Sequence, residues 1–233
     1  MLCSLLAATG LAGNPCSHFH DPSISEWLGY YDLKPTEHAG ERDVLDAIFD
    51  AARAYGTGNT DIFGLRLQRH SFGFFVRQMD ILYPDLTNDL ARFQAAFGKT
   101  LFIQLSRANK LDQAISYVKA SQTGLWHMAP DGTEIERLSE PQEPFYDAEA
   151  IARQLADLTA MAQQWEHWFA NQSLDPLRVT YDELSADPTS VLARILDALG
   201  LDQETAEGMA TPVAKLADAT SRNWAERFLA END

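Results

Sequence analysis

The chain has 233 residues, 45% apolar and 22% charged, enough to bury a sizeable core without metal or disulfide staples and unlike a disordered or collagen-like composition. With 18 Lys and Arg against 34 Asp and Glu, the net charge of −16 excludes a protein that coats nucleic acid, which needs a broadly basic face. Cys3 and Cys16 are the two cysteines, too few for a disulfide framework and without metal-ligand spacing, so a reducing, cytoplasmic setting is expected.

The opening Met1–Cys16 is apolar and rich in small residues, yet it carries no basic n-region: the first basic residue is Lys34. Leu2, Leu5 and Leu6 share one helical face and Thr9-Gly10 supplies a stop, so a short buried helix is expected rather than a secretory signal. It has no capping residue before its first apolar position, as if a strand and loop belonged in front of it. No run approaches the roughly eighteen apolar residues of a membrane-spanning helix. Further along, helices are expected over 42–55, 112–121, 147–171 and 188–199, the last with Asp187 as cap and Gly200 as stop. Three apolar, β-prone runs, 61–67, 100–105 and 177–181, have strand length and the near-continuous apolar character of parallel strands covered on both faces. Strands alternating with helices predict a three-layer α/β fold with a central, mostly parallel sheet, in one domain over 1–233. Residues 123–146, rich in Gly, Pro and acidic side chains, read as a lid-like excursion.

Charge is unevenly spread. Residues 53–119 hold nine basic and five acidic side chains, whereas 131–160 hold two basic and eight acidic ones. A basic middle in an acidic chain points to a focused anion site, or to solvated helix faces that cluster by chance. The run Leu105-Ser106-Arg107 ends a predicted strand, a polar turn follows, and the next helix carries Ser116. Ligands of open α/β sheets sit outside the carboxyl ends of strands, where a guanidinium fork and helix amides suit a phosphate; a structural ion pair is the plainer use of such an Arg.

Taken in order, Leu2-Cys3 to Gly13-Asn14-Pro15, Gly64-Leu65-Arg66, Arg107 to Ser116, Gln122 to Trp126, Tyr181-Asp182-Glu183-Leu184 and Ser221-Arg222-Asn223-Trp224 resemble the PAPS-dependent sulfotransferases (PAPS is 3′-phosphoadenosine 5′-phosphosulfate). The likeness is to the bacterial trehalose 2-sulfotransferase and lipopolysaccharide sulfotransferase group and covers nearly the whole chain. It implies a P-loop-like sulfotransferase fold, PAPS as sulfuryl donor, no metal, and a carbohydrate or glycolipid acceptor. By the same alignment the family's first strand and its Arg-Ser-Gly-Ser-Thr phosphosulfate loop fall upstream of Met1, so the first strand is expected to be missing. Carried over by residue, Arg107 and Ser116 hold the 3′-phosphate, Ser221 and Arg222 close over the nucleotide, and Arg66 approaches the transferring group or acceptor, its alternative being an ion pair.

Trehalose-type relatives place a Glu two residues after the Pro of the first turn; here that position is Ser17, a poor proton acceptor. His18 and His20 are adjacent, titrate near neutrality as a residue type, and in an extended stretch would point to one side with Phe19 to the other. One of them, His20 preferred, is the expected base; the alternative is that both pack a surface loop. Gln122, Trp126 and His127, with the acidic and aromatic stretch 143–146, suit a sugar, although Trp126 could equally be core. A non-catalytic, degenerate nucleotide-binding relative is the main alternative function, and a small-molecule kinase the next. A kinase needs a Gly-Lys-Ser/Thr loop and a magnesium-binding carboxylate, neither of which is visible. A homodimer is the assembly to test for, being the commonest.

Overall fold

The computed structural model describes residues 1–34, 36, 40–129, 131–209 and 218–232. Helix α1 (Leu2–Ala8) forms where the leucine spacing required it, and it buries Leu2, Leu5 and Leu6 against α9 (Pro188–Leu199). Between them in the chain lie α2 (Ile24–Tyr30), α3 (Glu41–Thr57), α4 (Arg69–Leu82), α5 (Asp89–Phe97), β1 (Ile103–Ser106) and α6 (Lys110–Thr123). A hairpin of β2 (Leu125–Met128) and β3 (Glu134–Arg137) follows, then α7 (Ala148–Asn171), β4 (Leu177–Thr180) and α8 (Tyr181–Ala186). A 3-10 turn (Gln203–Ala206) and α10 (Ala219–Asn232) follow α9.

The protein is a mixed α/β structure in which a small parallel sheet, β1 beside β4, is flanked by helices. Ile103 pairs Leu177 and Ser106 pairs Thr180, so the carboxyl ends of both strands open on one side. The strand expected over 61–67 is not formed. Its backbone donors are spent elsewhere, Gly64 N–H on the Gly56 carbonyl at 3.0 Å and Arg66 N–H on the Cys16 carbonyl at 2.9 Å, which leaves one isolated parallel bridge, Cys16 to Leu65. Among the described residues the strands form two two-stranded sheets, the parallel pair β1 and β4 and the antiparallel pair β2 and β3. The acidic stretch after β4 is also more regular than a turn: Thr180 and Glu183 form a reciprocal capping box that starts α8.

Three apolar clusters hold these elements. Phe19, Trp27, Phe49, Phe72, Phe75, Phe93 and Trp168 make an aromatic core around α3, α4 and α5. A second cluster seats α1 and α9 on Val179 and Leu184, and a third packs Ile115 and Val118 of α6 on Ile151 and on Trp224 and Phe228 of α10. Helix α7 belongs to both outer groups, Ile151 in the third cluster and Trp168 and Phe169 in the first, which explains its long apolar stripe. Each fully buried large side chain stabilises by about 1.5–3 kcal/mol. No described helix is long and apolar enough to cross a membrane.

Candidate functional site

The loop after α1 is stitched to the segment before α4. Asn14 N–H donates to the Gly56 carbonyl at 2.7 Å, and the backbones approach so closely that side chains are excluded. A Cβ on Gly64 would lie 2.6 Å from Pro15 N, and one on Gly13, which also has φ +72°, 2.2 Å from the Ile62 carbonyl oxygen. This seam carries Ser17 and Arg66 to the rim of an open cleft of about 580 Å³, whose other wall is the small-residue face of α1, Cys3, Ser4 and Ala7. Burial pushes the Cys3 and Cys16 thiols up, so both are poor thiolate nucleophiles.

Arg66 makes no ion pair among the described residues. Its Nε donates to Ser17 Oγ at 2.8 Å, and Gln68 also reaches Ser17 Oγ, at 2.9 Å. His20 is exposed beside them; its ring meets His70 edge-on at 4.9 Å, and His70 Nε2 bonds the His20 carbonyl at 3.1 Å. Ser17, His20 and Arg66 are thus brought together, with Gln68 and His70 as neighbours that sequence reasoning missed.

His18 goes elsewhere. Residues 18 and 19 lie in a turn, with His18 N–H bonded to the Cys16 carbonyl at 3.0 Å, so strict alternation fails and His18 does not share a side with His20. The His18 ring is buried against Phe63, its Nδ1 is 2.9 Å from the Tyr31 hydroxyl, and burial holds its pKa below the usual histidine value. Its placement is that of a neutral core histidine.

The second group of predicted residues gathers around α6. Asn109 caps the helix by accepting from Asp112 N–H at 3.0 Å, which fixes the turn between β1 and α6. Arg107, in that turn, lies over the Tyr181 ring at 4.9 Å and has no ion pair among the described residues. Lys110 adds a second cation: its Nζ donates to the Arg107 carbonyl at 2.7 Å, and burial, then the neighbouring guanidinium, lowers its pKa. Lys110 opens α6, two residues before the start expected from the sequence, where a cation opposes the helix dipole. Ser116 is half-buried, and its hydroxyl has no hydrogen bond among the described residues. No hydrogen bond joins Arg107 to Ser116 among the described residues, and neither lines the cleft that holds Arg66.

One turn beyond Ser116, on the same helical face, Lys119 bonds Asp218, which accepts from Ser221 N–H at 3.0 Å and Oγ at 3.1 Å and so caps α10. Burial alone would raise the Asp218 carboxyl; Lys119 and Ser221 together outweigh it and hold the pKa at about 2. Ser221 is therefore occupied as a capping partner, while Arg222 stays exposed without an ion pair among the described residues. The third group sits on the hairpin region: half-buried Trp126 meets Tyr117 edge-on at 5.3 Å, His127 pairs Glu136, and Gln122 Oε1 accepts from Phe145 N–H at 3.0 Å.

Arg66 at the cleft and Arg107 and Lys110 after β1 have no carboxylate partner among the described residues and can take an oxyanion, and exposed His20 lies on the Gln68 that meets Arg66. Comparison with known proteins gives this chemistry a family. A family model described as Stf0 sulphotransferase matches residues 1–231. The chain is 27% identical over 250 residues to a trehalose 2-sulfotransferase of Mycobacterium tuberculosis (strain ATCC 35801 / TMC 107 / Erdman), covering 99% of this chain and 90% of that protein. It is 28% identical over 248 residues to a trehalose 2-sulfotransferase of Mycolicibacterium smegmatis (strain ATCC 700084 / mc(2)155), covering 98% and 89%. The resemblance carried by Leu2-Cys3 to Pro15, Arg107 to Ser116 and Ser221 to Trp224 is borne out, and the chain belongs to the Stf0 sulphotransferase family.

Proposed function

We propose that the protein transfers the sulfuryl group of PAPS to a hydroxyl of a carbohydrate or glycolipid, on a P-loop-like sulfotransferase domain spanning the chain. The observation that carries this reading is that Arg66, Arg107, Lys110 and Arg222 form no ion pair among the described residues although the chain has 34 acidic residues. In so acidic a background, unpaired guanidiniums are free to meet an anionic ligand. These cations, with a Ser116 hydroxyl that has no hydrogen bond among the described residues, are the chemistry that suits the 3′-phosphate of such a donor. PAPS supplies the activated sulfuryl group. Arg107, Lys110 and Ser116 hold its 3′-phosphate, with Arg222 closing from α10.

Sulfuryl transfer, like phosphoryl transfer, depends on in-line positioning and on cations placed where charge develops. The acceptor oxygen bonds to sulfur as the sulfur–oxygen bond to the leaving phosphate breaks, and the hydroxyl proton passes to His20. Arg66 steadies the transferring oxygens from the cleft rim. The 123–146 excursion, with Trp126 as a platform, covers the acceptor, and the relatives' activity makes trehalose the first acceptor to try. No metal is assigned a role.

The test is transfer of ³⁵S from labelled PAPS to trehalose and to glycolipid acceptors. Labelled sugar that disappears in His20→Gln and Arg66→Ala supports the reading. Binding of adenosine 3′,5′-bisphosphate without transfer to any acceptor would favour a non-catalytic relative, a second reading kept because Ser17 stands at the family's Glu position with its hydroxyl already bonded to Arg66.

A further inference from the structure

Gln68 is the N-cap residue of α4, yet its side chain makes no cap bond. It turns instead towards Ser17, Arg66 and His20. An amide presents either its NH₂ or its carbonyl, and Arg66 decides which, because a guanidinium only donates and an NH₂ facing it would set donor against donor. With the carbonyl inward, Gln68 Oε1 faces donors only: Arg66 Nη2 at 2.7 Å, the Ser17 hydroxyl at 2.9 Å, and Arg66 Nε and His20 Nδ1 each at 3.2 Å. Ser17 then donates to Gln68 while accepting from Arg66 Nε at 2.8 Å, its shorter contact, so no donor is set against a donor.

We propose that Gln68 is a positioning residue that fixes the tautomer of His20. Its carbonyl takes the Nδ1–H, which leaves the Nε2 lone pair as the proton-accepting atom. The same oxygen holds Arg66, so one side chain sets both the base and the cation of the transferring group. Neighbouring His70 is fixed the opposite way: its Nε2 lies 3.1 Å from the His20 carbonyl, which only accepts, so His70 carries its proton on Nε2. The catalytic meaning of this arrangement rests on His20 being the base; the tautomer itself does not.

The experiment is long-range ¹H–¹⁵N correlation on ¹⁵N-histidine-labelled full chain well above neutral pH, with His20→Gln and His70→Gln assigning the two rings. The expected result is His20 as the Nδ1–H form and His70 as the Nε2–H form. In Gln68→Leu, His20 shifts to Nε2–H while His70 is unchanged, and kcat falls by at least about tenfold with a smaller change in KM. Gln68→Glu, which keeps an acceptor oxygen, retains the Nδ1–H form and shows that the site is still folded. A wild-type His20 in the Nε2–H form, or one whose tautomer ignores Gln68→Leu, would overturn the proposal. Full transfer activity in His20→Gln would instead overturn the base assignment while leaving the tautomer result standing.

Discussion

Replacing Arg66 by Ala separates chemistry from folding. The side chain is exposed, has no ion pair among the described residues, and bonds only to polar side chains at the cleft rim. Its removal exposes those partners to water rather than burying them unpaired, so the stability cost is about 0.5–1 kcal/mol. A guanidinium aimed at charge that grows during transfer is worth more. Loss of one such donor costs about 2.7–4 kcal/mol in the transition state, or roughly 10²–10³ in kcat. Arg66→Lys restores the charge without the planar fork, and is expected between the two. Initial rates with ³⁵S-labelled PAPS and trehalose, run beside urea denaturation, read both quantities. A kcat within threefold of the parent in Arg66→Ala would refute the assignment. So would a rate loss matched by a collapse of the urea midpoint, because Arg66 would then be structural.

Two further outcomes concern the scaffold under the site. His18 is neutral in the folded protein because burial holds its pKa below 6.5, while the unfolded chain takes up a proton as pH falls through 6.5. The unfolded state then binds more protons, so stability is kept above that value and lost below it. The parent's urea midpoint is expected to fall between roughly pH 7 and 5.5, and His18→Gln to fall less; equal slopes would contradict a buried neutral imidazole. Gly64→Ala places a Cβ 2.6 Å from Pro15 N and 2.7 Å from Pro15 Cα, backbone atoms that cannot swing aside. It is expected to cost about 1–3 kcal/mol and to lower transfer by displacing Ser17 and Arg66, whereas an unchanged urea midpoint would show that the seam is slack.

Local punctuation made some elements legible and long-range pairing hid others. Helix α9 begins at Pro188 and ends at Leu199 as expected, because Asp187 caps it through Ser190 N–H at 2.9 Å and Gly200 takes the left-handed φ of 73°. Asp147 caps α7 in the same way. Residues 61–67 have strand composition but no ladder, since their donors are claimed by Gly56 and Cys16, a choice made by two close glycine contacts that periodicity does not register. The resemblance singled out Arg66 and Arg107, both without ion pairs among the described residues, yet it passed over Lys110 and Gln68. Lys110 falls ahead of the helix expected over 112–121, so its place in the first turn of α6 was set by the Asn109 cap and not read from the sequence. Gln68 was not legible either, because nothing local distinguishes it from a surface amide; its role exists only once Ser17, more than fifty residues earlier, is folded beside it at 2.9 Å. The expectation that His18 and His20 share a side failed through one tight turn, which buries one ring against the aromatic core and leaves the other exposed.

The most direct measurement of the donor assignment is calorimetric titration with adenosine 3′,5′-bisphosphate and, separately, adenosine 5′-monophosphate. If Arg107, Lys110 and Ser116 grip a phosphate on the ribose, the bisphosphate binds at least about tenfold more tightly, a preference worth about 1.4 kcal/mol. Arg107→Ala should then bind the two nucleotides alike. Equal affinities in the parent protein, or a preference that survives Arg107→Ala with Ser116→Ala, would contradict the donor site described above.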